Sequence, residues 1–221
     1  MEGALFPAIA IGSAIGLVVI AVAVSSRQAK KRRAAWQAAA QQSGLAFLPE
    51  AQGVRDRLGG FKVCNLGRSR RAQNALVGTV SGHEIALFDY RYTTGSGNNR
   101  HTHHLSLCAV RHPELRLPSF FLRRQLRLWD ALGKMFGGQD INFEEDAAFS
   151  RSFVLQGKDE RAVRRVFGVH ARAHLLRYQE SALQLEGDGD TLLVNFGRRL
   201  DPDQGRDSIE QAIDVARIWT D

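Results

Sequence analysis

The sequence predicts an α+β protein: one N-terminal transmembrane helix followed by an antiparallel-sheet domain with peripheral helices. Three observations predict it. An uncharged apolar run of 19 residues, Phe6–Val24, lies near the start of the chain. Short apolar segments separated by Gly, Ser and Asn turns fill residues 61–110, the pattern of an antiparallel meander. Helical spacings and hairpin signals then alternate to the end with no fixed repeat.

The first element rests on length and charge. At ~1.5 Å per residue the apolar run would span roughly 28 Å as a helix, close to the hydrocarbon thickness of a bilayer. Pro7 falls near the first turn, where its missing N–H costs little. Ala21-Val22-Ala23 offers a cleavage-like pattern, but residues 1–5 carry Glu2 and no basic residue, unlike a signal peptide. The positive charges follow the run: Arg27, Lys30, Lys31, Arg32 and Arg33. Positive flanks stay inside, so residues 1–26 are expected as an anchor and the C-terminal domain as cytoplasmic, at a bacterial inner membrane. Residues 27–43 are expected as a basic juxtamembrane helix touching anionic headgroups, with Gly44 as its stop. Ala8, Gly12 and Gly16 recur every four residues and form a small-residue face suited to a weak homodimer.

Residues 44–221 are expected as the α+β domain, with a possible subdomain split near 112–122. Phe61–Leu66, Asn74–Val80, Glu84–Tyr92 and Leu105–Val110 read as strands, with turns at Ser81-Gly82 and Thr94–Arg100. Leu122, Leu126, Trp129 and Leu132 sit at helical spacing. Phe149–Leu155 reads as a strand, and Asp159 as the cap of a helix carrying Val163, Val166 and Phe167. Ala182–Glu186 and Thr191–Phe196 flank Gly187-Asp188-Gly189-Asp190 as a hairpin. Asp207 and Glu210 mark the start of an amphipathic last helix. Phe88, Leu107, Phe153, Leu185 and Trp219 are expected in one core.

Leu87-Phe88-Asp89-Tyr90-Arg91-Tyr92, then Phe149-Ser150-Arg151-Ser152-Phe153 through Phe167, then Leu185-Glu186-Gly187 through Asn195 occur in this order behind one apolar segment. In this the chain resembles a group of uncharacterised bacterial single-span membrane proteins. The resemblance implies a plasma-membrane setting and no activity or site residue.

The chemistry-bearing residues are sparse. The net charge of +7 owes five positive charges to the basic flank, so it argues poorly for nucleic acid. Cys64 and Cys108 lack metal-ligand spacing and are expected as reduced core thiols. His101-Thr102-His103-His104 is the best candidate cluster: strand alternation puts His101 and His103 on one face and His104 on the other. Those two could hold a divalent metal with a carboxylate such as Asp89, whereas His83 lies at the far end of the hairpin. Asp140, Glu144, Glu145 and Asp146 form an acidic patch without the alternating ligands of a calcium loop. Arginines cluster at 68–71, 123–127 and 161–165. The phosphate-binding loop GxxxxGK[ST], the GxSxG elbow, HExxH and GxGxxG are all absent. The function expected is therefore a membrane-tethered binding or interaction module, needing no cofactor, with the bilayer and an unidentified protein as partners. The alternative is a metal-dependent enzyme or sensor using the His101–His104 loop.

Overall fold

The computed structural model describes residues 5–125 and 140–220, with side chains from Ala23 onward. An eight-stranded, wholly antiparallel sheet runs through the domain, in the order β1-β2-β3-β4-β8-β7-β5-β6. The strands are β1 (Ala46–Glu50), β2 (Arg68–Val80), β3 (His83–Thr94), β4 (His101–Arg111), β5 (Leu117–Arg124), β6 (Phe153–Gly157), β7 (Gln184–Gly189) and β8 (Thr191–Asn195). The helices are α1 (Leu5–Ser43), α2 (Gln52–Arg57), α3 (Ala147–Ser152), α4 (Glu160–Val166), α5 (Val169–Leu176) and α6 (Gly205–Ala216).

One apolar row explains how a single sheet holds both halves of the chain. Leu76, Leu87, Cys108, Val194, Leu185, Leu122 and Leu155 are register partners in succession from β2 to β6. All seven are buried in one cluster, covered by Trp36 and Ala40 of α1, Ile209 and Ile213 of α6, and Phe149, Val163 and Phe167. The opposite face carries a second cluster, in which Val54 and Leu58 from the α2 segment cover Phe88, Tyr90, Leu107 and Leu193. The single core expected is thus two. Strand alternation turns Phe88 and Leu107 to one face, while Phe153 and Leu185 lie on the other with Trp219 at its margin.

Several local expectations change for identifiable reasons. Residues 63–65 form a 3-10 turn instead of a strand. Leu122 belongs to β5, so no helix begins there; Leu126, Trp129 and Leu132 lie outside the described residues. Phe149 lies in α3, because the Asp146 side chain accepts a hydrogen bond from Phe149 N at 3.1 Å and starts a helical turn before β6. Asp159 caps α4 as expected, accepting from Ala162 N at 3.0 Å. The last helix is preceded by a capping box at Asp201 and Gln204, six residues before the one expected. Pro49 sits inside β1, which an edge strand tolerates because one row of its N–H groups needs no ladder partner.

The N-terminal transmembrane helix of the expected fold class is corrected. Among the described residues no helix is long and apolar enough to cross a membrane. The described side chains of α1 include Arg27, Lys30, Lys31, Arg32 and Arg33, each costly in hydrocarbon. The helix runs without a break through the boundary expected at residue 26. Ala8, Gly12 and Gly16 lie in the part of α1 whose side chains are outside the described residues.

From Ala23 to Lys31 every α1 side chain is exposed, and burial begins at Arg32 and Trp36. Trp36 is wholly buried against α6, where glycine is needed: a Cβ on Gly205 would lie 2.9 Å from the indole. Trp36→Ala and Phe88→Ala empty separate clusters on opposite faces. Each is expected to cost about 3–5 kcal/mol, and urea denaturation of the double variant should show additive losses to within about 0.5 kcal/mol. A neutral effect of either would contradict the two-faced core.

Candidate functional site

The histidine loop disperses its own chemistry. His103 stacks on Tyr92 with ring centroids 4.6 Å apart, and its Nε2 lies 2.8 Å from Thr94 Oγ1. His104 projects from the opposite face, as alternation requires, and faces Arg91 in the register. His101 is exposed at the strand end, paired in register with Thr94. His83 pairs with Val80 at the other end of β3 and its ring lies 4.7 Å from that of His112, tilted by 36°. Among the described residues no group of three or more His, Cys, Asp or Glu side chains is placed to hold a metal.

The remaining candidates are also engaged. Cys64 and Cys108 are free, and burial pushes both thiols up to about 12. In the acidic patch, Asp146 accepts from Arg172 Nε at 2.9 Å and Glu145 pairs with Arg172 at 3.3 Å. Asp140 accepts from Gln156 Nε2 at 2.8 Å. Hydrogen bonds from Arg172 and from Phe149 N hold the Asp146 carboxyl below the usual carboxylate range. These contacts tie α5 to the segment that leads into α3.

The sequence offers Asp89 only as a metal partner for His101 and His103; what sequence reasoning misses is that this carboxylate is the centre of a buried ion pair with Arg32. It is 3% exposed, on β3, in a strand otherwise rich in apolar side chains. Arg32 of α1 reaches it with a two-pronged grip: Nε at 2.8 Å from Oδ2 and Nη2 at 2.7 Å from Oδ1. Asn74 Nδ2 donates to Oδ2 at 3.0 Å and Ser106 Oγ to Oδ1 at 3.3 Å. Arg199 stands 3.6 Å away. Asn74 reaches in because β2 shifts register between Gln73 and Leu76, and Asn74 itself takes φ 53°, a conformation Asn tolerates better than most residues. Arg32 Nη2 also donates to the Leu200 carbonyl at 2.6 Å, while Ser106 Oγ accepts from Leu200 N at 3.0 Å. One buried carboxylate therefore joins α1, three strands and the loop before α6.

Two signals in the sequence could have found it. Arg32, Trp36 and Ala40 recur every four residues on one face of α1, and Asp89 interrupts Leu87-Phe88 and Tyr90 within a strand.

Around this centre the charges are unbalanced. Arg33 and Arg71 both pair with Glu50, at 3.3 and 3.0 Å, as Arg32 and Arg199 share Asp89. With Arg91, five arginines face two carboxylates. The exposed Arg27, Lys30 and Lys31 continue this cationic surface along α1. Burial, reinforced by Arg199 and Arg91, pushes the His104 imidazole below its ordinary value. Burial likewise lowers Arg199.

On the opposite face a groove of about 670 Å³ is floored by Val77, Ala86 and Ala109 and bounded by Val54 and Leu58. At its mouth Arg111 is tied to Asp190 at 2.7 Å and Glu84 at 3.5 Å. A second buried carboxylate, Glu186, accepts from the backbone N–H groups of Lys62 and Val63 at 2.5 and 2.9 Å. Burial raises its carboxyl above the ordinary range, against those two hydrogen bonds. It anchors the segment that follows α2.

Asp89→Asn is expected to leave Arg32 buried without its counter-charge, at a cost of about 3–5 kcal/mol in chemical denaturation. Ser106→Ala, which removes one neutral partner, should cost about 1 kcal/mol. Equal effects of the two would contradict a charge-centred clamp.

No family model matches the chain, and no curated protein matches it. Among solved structures, the chain is similar to the crystal structure of the mycobacterial trehalose monomycolate transport factor A. That similarity has a TM-score of 0.56 at 13% identity, over 87% of this chain and 94% of that one, and it shows a shared fold.

Proposed function

We propose that this protein is a non-catalytic binding module that docks on anionic lipid headgroups through its cationic end. The observation that carries the reading is the charge distribution. Arg27, Lys30 and Lys31 are exposed on α1, Arg33 and Arg71 share Glu50, Arg32 and Arg199 share Asp89, and the Arg91 side chain has no carboxylate partner among the described residues. Such a surface attracts an anionic bilayer by about 1 kcal/mol per basic side chain near it. The Arg32–Asp89 clamp fixes the angle of α1 to the sheet and so presents these side chains as one rigid patch. Support for a binding role, as opposed to a catalytic one, comes from the engagement of His103, Asp89, Asp140, Glu145 and Asp146 in structural contacts and the burial of both cysteines. A fold shared with a protein named for trehalose monomycolate transport supports a setting in which lipid surfaces are near.

Sedimentation with phosphatidylglycerol vesicles and with phosphatidylcholine vesicles tests the proposal. Binding is expected to the first and not the second, and to weaken as salt shortens the Debye length. Lys30→Gln with Lys31→Gln should weaken it by about 2 kcal/mol, roughly thirtyfold. Equal sedimentation with both vesicles, or with neither, would contradict it.

A further inference from the structure

The cationic end contains a row that the sheet itself disfavours. Arg71 on β2 is the register partner of Arg91 on β3, and Arg91 is the partner of His104 on β4. Cross-strand neighbours of like charge destabilise a sheet, so strands normally place opposite charges or neutral groups there. Here one neighbour of the row, Arg199, brings a further positive charge from the loop after β8.

Arg71 is compensated by Glu50, whose two oxygens it meets at 3.0 and 3.1 Å. Arg199 has only a share of Asp89, which Arg32 already grips. The Arg91 side chain makes no hydrogen bond or ion pair among the described residues. Together with Gln73, Asp89 and His104 these residues line a notch of about 10 Å³, room for roughly one oxygen atom. Larger groups must sit above it, between the tips of Arg91, His104 and Arg199.

We propose that Arg91, His104 and Arg199 form a site for a phosphate group, one oxygen entering the notch and the others meeting the two guanidinium groups and the imidazole. Phosphate suits this set because a guanidinium offers paired N–H donors at the spacing of two phosphate oxygens. The Asp89 carboxylate beneath is no obstacle, since Arg32 neutralises it from the far side. Burial is the main cause of the lowered His104 imidazole, and the lesser contribution, the field of Arg199 and Arg91, is one an anion would relieve. The site deepens the headgroup docking proposed above and rests on that reading for its lipid source; a free phosphate or a soluble phosphomonoester shares the same chemistry.

The test uses the full chain and two probes. Inorganic phosphate is titrated calorimetrically, and vesicles containing phosphatidic acid are compared with vesicles of equal charge containing phosphatidylserine. The phosphomonoester vesicles are expected to bind more tightly. Arg91→Gln should remove that preference and weaken phosphate binding about tenfold, the effect of one lost charge-assisted hydrogen bond. Arg199→Gln should do the same. Arg91→Gln is the decisive variant, because the exposed Arg91 side chain makes no hydrogen bond or ion pair among the described residues whose loss could unfold the domain. Arg161→Gln, on α4, should change nothing. Phosphate binding that depends on Arg91 without any vesicle binding supports the site and removes the lipid source. Vesicle binding with no preference for phosphatidic acid, and no loss in Arg91→Gln, overturns the site while leaving surface docking standing.

Discussion

A carboxylate buried between strands costs several kcal/mol unless its charge and lone pairs are met, and Asp89 is met from every side. That constraint reaches further than one ion pair. It requires the αL turn at Asn74 and the register shift in β2 that lets its amide point inward. It requires Ser106 on β4, whose hydroxyl also receives the Leu200 N–H and so sets the path of the loop into α6. It requires Arg32, and Arg32 lies one helical turn from Trp36, which fills the space above Leu87 and Gly205. The polar clamp and the apolar seat are thus consecutive turns of one helix face. The burial of Trp36 supplies affinity without direction, while the two-pronged guanidinium contact fixes rotation and register.

The consequence is a helix with two fates. Its last three turns belong to the core, and Ala23–Lys31 remain exposed. Because the clamp takes Arg32 and Glu50 takes part of Arg33, the basic stretch divides between fold and surface. The outward Arg33 meets Arg71 of the sheet at Glu50, which the two share. The sheet does the same on a larger scale. Its apolar row from Leu76 to Leu155 joins the two halves of the chain, while its other face is only partly covered and retains a groove.

Much of this architecture was legible, and the failures are instructive. The β3–β4 hairpin showed its alternation, so the opposed placement of His103 and His104 followed from period 2 alone. The Asp159 cap and the β7–β8 hairpin followed from turn and cap chemistry. Leu122 misled because Leu, Phe and Arg at positions 120–124 suit either period, and pairing with both β6 and β7 decided for strand. The basic flank misled more deeply. Arg32 and Arg33 look alike in sequence, yet their side chains point in directions about 100° apart on a helix. One finds Asp89, 57 residues away, and the other finds Glu50 at the surface. Long-range charge pairing of this kind leaves only a faint local trace, an acid set between apolar residues of one strand.

Amide hydrogen exchange along α1 tests the clamp most directly. In the unaltered protein, amides of residues 36–43 should exchange as slowly as those of β3 and β4, because the docked turns open only with the domain. Arg32→Met should speed those α1 amides selectively while β7 and β8 keep their protection. Fast exchange of residues 36–43 in the unaltered protein, or an identical pattern in Arg32→Met, would contradict the claim that the Arg32–Asp89 contact holds the helix to the sheet.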